Sequence, residues 1–181
     1  MIDNESDVFN VVSGALREIY EDVFIIGEEI TSAPSVFPAV SIVQTDNRNN
    51  EKYSTFDNRE NVAEVTYKVE VYSNLQSGRS KQTKAITATI SDIMDALGYR
   101  RTFCNSVINA DATISRRVSR FIRTNVIADE FHAVYDENGN YKILINNNEQ
   151  AVIVNKDGCL AVDLDLKINL DVDNGHLNAE Y

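Results

Sequence analysis

Over residues 62–72 apolar and polar side chains alternate without interruption: Ala63, Val65, Tyr67, Val69 and Val71 on one side, Glu64, Thr66, Lys68 and Glu70 on the other. A period of two belongs to an extended strand and to no helix, so the run predicts a strand with one face packed on helices and the other meeting water or a partner. Residues 73–78 then turn the chain into a segment with helical spacing, 80–97, where Ile86, Ile90, Ile93, Met94 and Leu97 form an apolar stripe and Gly98 supplies a left-handed stop.

Within residues 100–123, Arg100, Arg101, Arg116, Arg117, Arg120 and Arg123 stand against the single acid Asp111. After Arg100 and Arg101 the stretch predicts a strand to about 105, then a turn at 109–111, and a longer strand over 114–127. Ile114, Val118 and Ile122 share one face of that strand with Arg116 and Arg120; Arg117 and Arg123 share the other with Ser115, Ser119 and Phe121. A buried guanidinium needs a paired acid, so arginine on both faces is hard to satisfy in an isolated monomer. An edge or subunit-interface position solves this, with a neighbouring copy supplying the carboxylates. Arg79, Lys81 and Lys84 open the second helix, where the macrodipole favours acids. They read either as a solvated basic turn or as a contact for an acidic partner surface.

Upstream, Val8, Val11, Val12, Ala15, Leu16 and Ile19 give a first helix one apolar face, with Asn4 or Ser6 as its cap and Glu5 and Asp7 at its positive end. A short strand is expected at 23–26. Pro34 and Pro38 bracket a loop whose Phe37-Pro38-Ala39-Val40 delivers the chain extended into a strand over 39–44. Residues 45–61 are polar and predict a long hairpin connection, with a short strand at 53–56.

From Tyr135 onward, short β segments alternate with tight turns at Asn138-Gly139, Asp157-Gly158 and Asn174-Gly175. Strands are predicted at 141–145 and 151–154, followed by strict alternation of Leu160, Val162, Leu164, Leu166, Ile168, Leu170 and Val172. So small a ribbon cannot bury its apolar face alone. It must fold onto the main domain, pair with its own preceding hairpin, or add to a neighbouring protein. Asp163, Asp165, Asp171 and Asp173 read as a solvated acidic face, because alternate strand residues do not wrap a calcium ion.

No motif points to catalysis. His132 and His176 neighbour no nucleophile, and no HExxH, phosphate-binding glycine loop or dinucleotide fingerprint occurs. Asp92 with Asp95, and Glu28 with Glu29, are carboxylate pairs of no specific kind. Cys104 and Cys159 are far apart and read as free thiols. No cofactor or metal is implied. A net charge of −11 argues against broad affinity for nucleic acid or anionic membrane. No apolar run approaches the ~20 residues that cross a bilayer. The acidic start, Met1-Ile2-Asp3-Asn4-Glu5, is unlike a secretory signal, so a cytosolic setting is expected.

The order of elements, with Phe37-Pro38-Ala39-Val40, Tyr67-Lys68-Val69-Glu70-Val71-Tyr72-Ser73 and Ile93-Met94-Asp95-Ala96-Leu97-Gly98-Tyr99, resembles the tail terminator (tail completion) proteins of long-tailed bacteriophages and the related neck and minor capsid proteins. The resemblance covers about residues 6–127. It implies an α+β fold, a mixed or antiparallel sheet packed against two helices, in a tail-terminator-like domain of residues 1–130. Residues 131–181 would then be a C-terminal β-hairpin extension that departs from the compact family form. It also implies a virion protein, assembled in the host cytoplasm as a ring, usually a hexamer, that caps the tail tube and meets the head-tail connector. DNA would pass its channel without specific binding, and no membrane is involved. The subunit and partner contacts would fall on Arg79, Lys81, Lys84, Arg100, Arg101, Arg116, Arg117, Arg120 and Arg123. A head-completion or tail-tube subunit is the alternative; an unrelated enzyme or binding module is the third reading.

Overall fold

The computed structural model describes residues 1–50, 52, 60–156 and 159–164, with side chains to position 153. The fold is α+β. Its first sheet has the order β1-β2-β3-β5-β4 and is mixed, because β1 (Phe24–Ile26) runs parallel to β2 (Ala39–Asn49) while every other pairing is antiparallel. The alternating run forms β3 (Val62–Ser73), the central strand, paired along its length with β2 on one side and β5 (Ser115–Val126) on the other. Ala63, Val65, Tyr67, Val69 and Val71 are each at most 2% exposed, on the helix side.

Helix α1 (Glu5–Ile19) buries Val8, Val11, Val12, Ala15 and Leu16, and α2 (Arg79–Ala96) buries Ile86, Ile90, Ile93 and Met94. Gly98, at φ +75°, ends α2: its N–H reaches the Asp95 carbonyl and the Tyr99 N–H reaches that of Met94, both at 2.8 Å. That pair of bonds satisfies two of the carbonyls a helix end leaves orphaned. The start of α1 differs from expectation. Asn4 holds the cap position but its side chain makes no capping bond; it donates instead to the Asp129 carbonyl at 2.9 Å. Ser6 lies inside the helix.

The second sheet is antiparallel, in the order β6-β7-β8-β9, from β6 (Phe131–Tyr135), β7 (Tyr141–Ile145), β8 (Asn148–Lys156) and β9 (Cys159–Leu164). It lies on the side of the helices away from the first sheet. Phe131, Tyr141, Ile143, Ala151 and Ile153 join the same core as α1, α2 and β3, giving a sheet–helix–sheet sandwich. The described part of the ribbon, to Leu164, therefore pairs with its own preceding hairpin, in a sheet that folds onto the main domain. Asn146 and Asn147, both at positive φ, make the β7–β8 turn, a role that short polar side chains tolerate.

Other bounds also moved. β2 runs five residues past its expected end, beyond a bulge at Thr45, because β3 is long enough to pair with it. The polar connection is correspondingly shorter, and the strand expected at 53–56 lies outside the described residues. So does the alternation after Leu164. The outward face of β3 is not uniformly wet: Glu70 and Tyr72 are 2% and 3% exposed, because the 27–38 loop folds over that end and packs Ile30 and Phe37 on Ala39, Tyr72 and Ile114.

Candidate assembly surface

The first sheet carries helices on one face only. Among the described residues, the strand β4 (Arg100–Val107) is its edge, with β5 on one side and no strand on the other. Pairing sorts the arginines. On β5, Arg117 and Arg123 are set opposite Val71 and Val65 of the buried face, while Arg116 and Arg120 are set opposite Tyr72 and Lys68 of the open face.

Two of these four find acids within the chain, which corrects the expectation that a neighbour supplies them. The Arg116 Nη2 lies 2.6 Å from Glu70 Oε1, with the guanidinium stacked 5.7 Å from the Tyr72 ring centre. Burial would push the Glu70 carboxyl up. Hydrogen bonds from the Tyr72 hydroxyl and Arg116, with the nearby Lys68 ammonium, outweigh it and hold the group below its ordinary range. The Arg123 Nη1 lies 2.7 Å from Asp129 Oδ2, and its guanidinium covers Phe131 at 4.8 Å. Asp129 also accepts from the Val126 N–H, while buried Asn125 bridges Asn4 and the Tyr99 hydroxyl. Both arginines are thus parts of the monomer's own polar framework.

The others gather around β4. Among the described residues, neither Arg117 nor Arg120 has a carboxylate partner. The half-buried Arg117 has only the Cys104 sulfur, 3.8 Å from its Nη1, and its Nε is buried without a partner. Burial raises the Cys104 thiol pKa, but the Ser119 hydroxyl and the Arg117 guanidinium turn the net shift downward. Arg120 is exposed directly opposite Lys68, a like-charge cross-strand pair of the kind that destabilises a sheet. Lys68 leans away to Glu29 and Glu70. A shallow groove of about 380 Å³ crosses the open face there, lined by Asp46, Arg48, Thr66, Thr102, Arg120 and Ile122. Arg100 is exposed, and exposed Arg101 donates to Ser91 at 2.9 Å. Phe103 is 40% exposed and Ile108 97%.

Arg79, Lys81 and Lys84 do not join this cluster. They stand at the start of α2, which neighbours the start of β5 through Thr83 and Ser115, whereas Arg101 meets the helix far downstream at Ser91. Lys81 and Lys84 are exposed, and Arg79 is half-buried with Asp111 nearby. The surface thus offers unpaired cations and exposed apolar groups along a free strand edge, suited to an acidic, extended partner. Glu70 and Asp129 escaped sequence reasoning as the internal acids; only the strand register brings the first to Arg116, and only the turn after β5 brings the second to Arg123. No protein-family model matches the chain, and no curated protein matches it.

Proposed function

We propose that this chain is a virion structural subunit that packs beside copies of itself into a ring at the end of a phage tail tube, stops tube polymerisation and joins the tail to the head connector. The observation that carries the reading is the edge of the first sheet: Arg100, Arg101, Arg117 and Arg120 surround a strand that has one unpaired side among the described residues, in a chain of net charge −11. Cations left without acids among the described residues of so acidic a chain suit a contact in which one patch meets a different patch on the next copy, and such contacts make a ring where the rotation between copies closes. The resemblance of its order of elements to that of tail terminators suggests the biological setting. The acidity suits a channel that lets DNA phosphates pass.

Replacing Arg100 and Arg120 by glutamate is the direct test, since both are exposed and neither holds the core. The variant should melt like the parent yet lose assembly by light scattering, and phage carrying it should show overlong or unjoined tails. Heads that leak DNA while tails stay normal would move the protein to a head-completion role. Normal virions from phage lacking the protein would reject both.

A further inference from the structure

Tyr67, on the central strand, is 1% exposed, and among the described residues its hydroxyl has no hydrogen-bond partner. Buried tyrosines ordinarily find one, because an unmet hydroxyl in apolar surroundings costs free energy. The Gln44 Oε1, on the residue directly opposite in β2, is buried and equally unmet. Tyr67 and Ile42 form the floor of a cleft of about 230 Å³, with Glu5 and Phe9 of α1 half-buried on its wall and Gly27, just past β1, at its rim. Burial pushes the Tyr67 pKa up, and Tyr99 with the carboxylates of Glu5, Asp3 and Asp7 pushes it further, so the charges that act on the hydroxyl are negative. Two oxygens able to accept, inside a negative mouth, suit a cation that carries several N–H groups.

The cleft opens at one margin of the first sheet. β1 ends at Ile26, opposite Ser41, so from Ile42 onward β2 has no strand on its outer side among the described residues. The other margin, β4, bears a cation at the same height: Gln44, Tyr67, Phe121 and Arg101 pair in turn across β2, β3, β5 and β4. Residues paired in this way share a face, so Arg101 and the floor of the cleft both lie on the helix side. Arg101 is exposed and donates to the neutral Ser91 hydroxyl at 2.9 Å; Asp92 feels its charge, but among the described residues Arg101 forms no ion pair. Three strand spacings, roughly 14 Å, separate it from Gln44 of its own copy. A copy displaced sideways along this row would bring its Arg101 to the cleft of the next.

We infer that the cleft at the β2 margin receives the Arg101 side chain of a neighbouring copy. The guanidinium donates to Gln44 Oε1 and to the Tyr67 hydroxyl oxygen, meets the Glu5 carboxylate at the mouth and lies against the Phe9 ring. The contact deepens the ring reading and rests on it for the presence of a second copy. Because arginine and cleft stand at opposite margins of the sheet, every copy gives one side chain and receives one, the head-to-tail relation of a ring.

The test uses the full-length chain, with light scattering after size exclusion over a range of concentrations and melting curves recorded where the parent is monomeric. Tyr67→Phe removes a hydroxyl that bonds nothing within the subunit. It should melt no lower than the parent, while the concentration needed for assembly rises by about tenfold or more. Arg101→Glu and Glu5→Lys should each stay at the monomer mass of 20.3 kDa. Placed together in one chain, these two substitutions should restore assembly, since opposite charges again face each other across every contact. A parent that assembles while Tyr67→Phe and Arg101→Glu assemble at the same concentration would overturn the inference and leave the ring reading standing. A folded double variant that recovers no assembly would also overturn it. A parent that is itself monomeric at every concentration would overturn both.

Discussion

The carboxylate of Glu70 is almost fully enclosed, at 2% exposure, yet it stays charged because Tyr72, Arg116 and Lys68 all point at it. Its pKa in the folded chain is lowered, while in the unfolded chain it returns to its ordinary value near 4.5. The unfolded state therefore takes up the proton first as the solution is acidified. The stabilisation is fully present above about pH 4.5 and is lost as pH falls through the lowered folded value. Urea midpoints followed from neutral pH to about pH 3 should thus fall more steeply for the parent than for Glu70→Gln. At neutral pH the variant should already be less stable by roughly 1–3 kcal/mol, from the weakened bonds to a partly buried guanidinium. Parallel pH profiles for the two proteins would refute this. Residues such as Glu70 and Asp129 look like ordinary surface acids in the sequence. Nothing local to them announces a cation, since Arg116 lies 46 positions from Glu70.

Helix α1 contains Gly14 in its middle, where local propensity favours almost any other residue, by about 1 kcal/mol for alanine. The reason is on β7. A Cβ at Gly14 would overlap the Tyr141 hydroxyl, which donates to the Val11 carbonyl at 3.2 Å and whose burial pushes its pKa up to about 12. Gly14→Ala should therefore destabilise the chain by roughly 1–3 kcal/mol despite the better propensity. Removing the hydroxyl in Gly14→Ala with Tyr141→Phe should restore part of the loss, measured as a coupling in a double-mutant cycle. Stabilisation by the single substitution would refute the close contact. At this scale much was legible: the apolar stripes of both helices, the stop at Gly98 and the alternation of β3 all depend on neighbours within a few positions. The cap of α1 was not, because the Asn4 side chain is claimed by Asp129 and Asn125, more than a hundred residues away.

At the scale of the molecule, α1 and α2 lie between two sheets, and one apolar cluster runs through all the layers, from β3 across the helices to Ile143 and Ile153. The aromatic chain Tyr67–Tyr99–Phe131, with ring centres 5.4 and 6.3 Å apart, ties the central strand to the second sheet. A shared core of this kind should unfold as a unit. Calorimetry on the variant carrying Arg100→Glu and Arg120→Glu should give one transition whose calorimetric and van't Hoff enthalpies agree. Two resolved transitions would make the second sheet an independent unit. The change of composition near Tyr135 marks a change of sheet, and what composition could not express is that the new sheet covers the helices. The candidate surface was legible only in outline. The excess of arginine was plain, but the division between paired and unpaired cations followed from the register of β5 on β3 and of β4 on β5.

By itself the sequence determined the α+β class, both helices, the alternation of β3 and of the C-terminal ribbon, and the absence of any recognised catalytic motif. These are consequences of backbone periodicity and of side-chain chemistry within one or two turns of chain. The tertiary structure alone decided that Arg116 and Arg123 are neutralised at home and that, among the described residues, Arg117 and Arg120 are not and β4 is an edge. Charge neutralisation acts over a few ångströms of space, and strand pairing joins residues tens of positions apart, so neither is written in the local pattern of the chain.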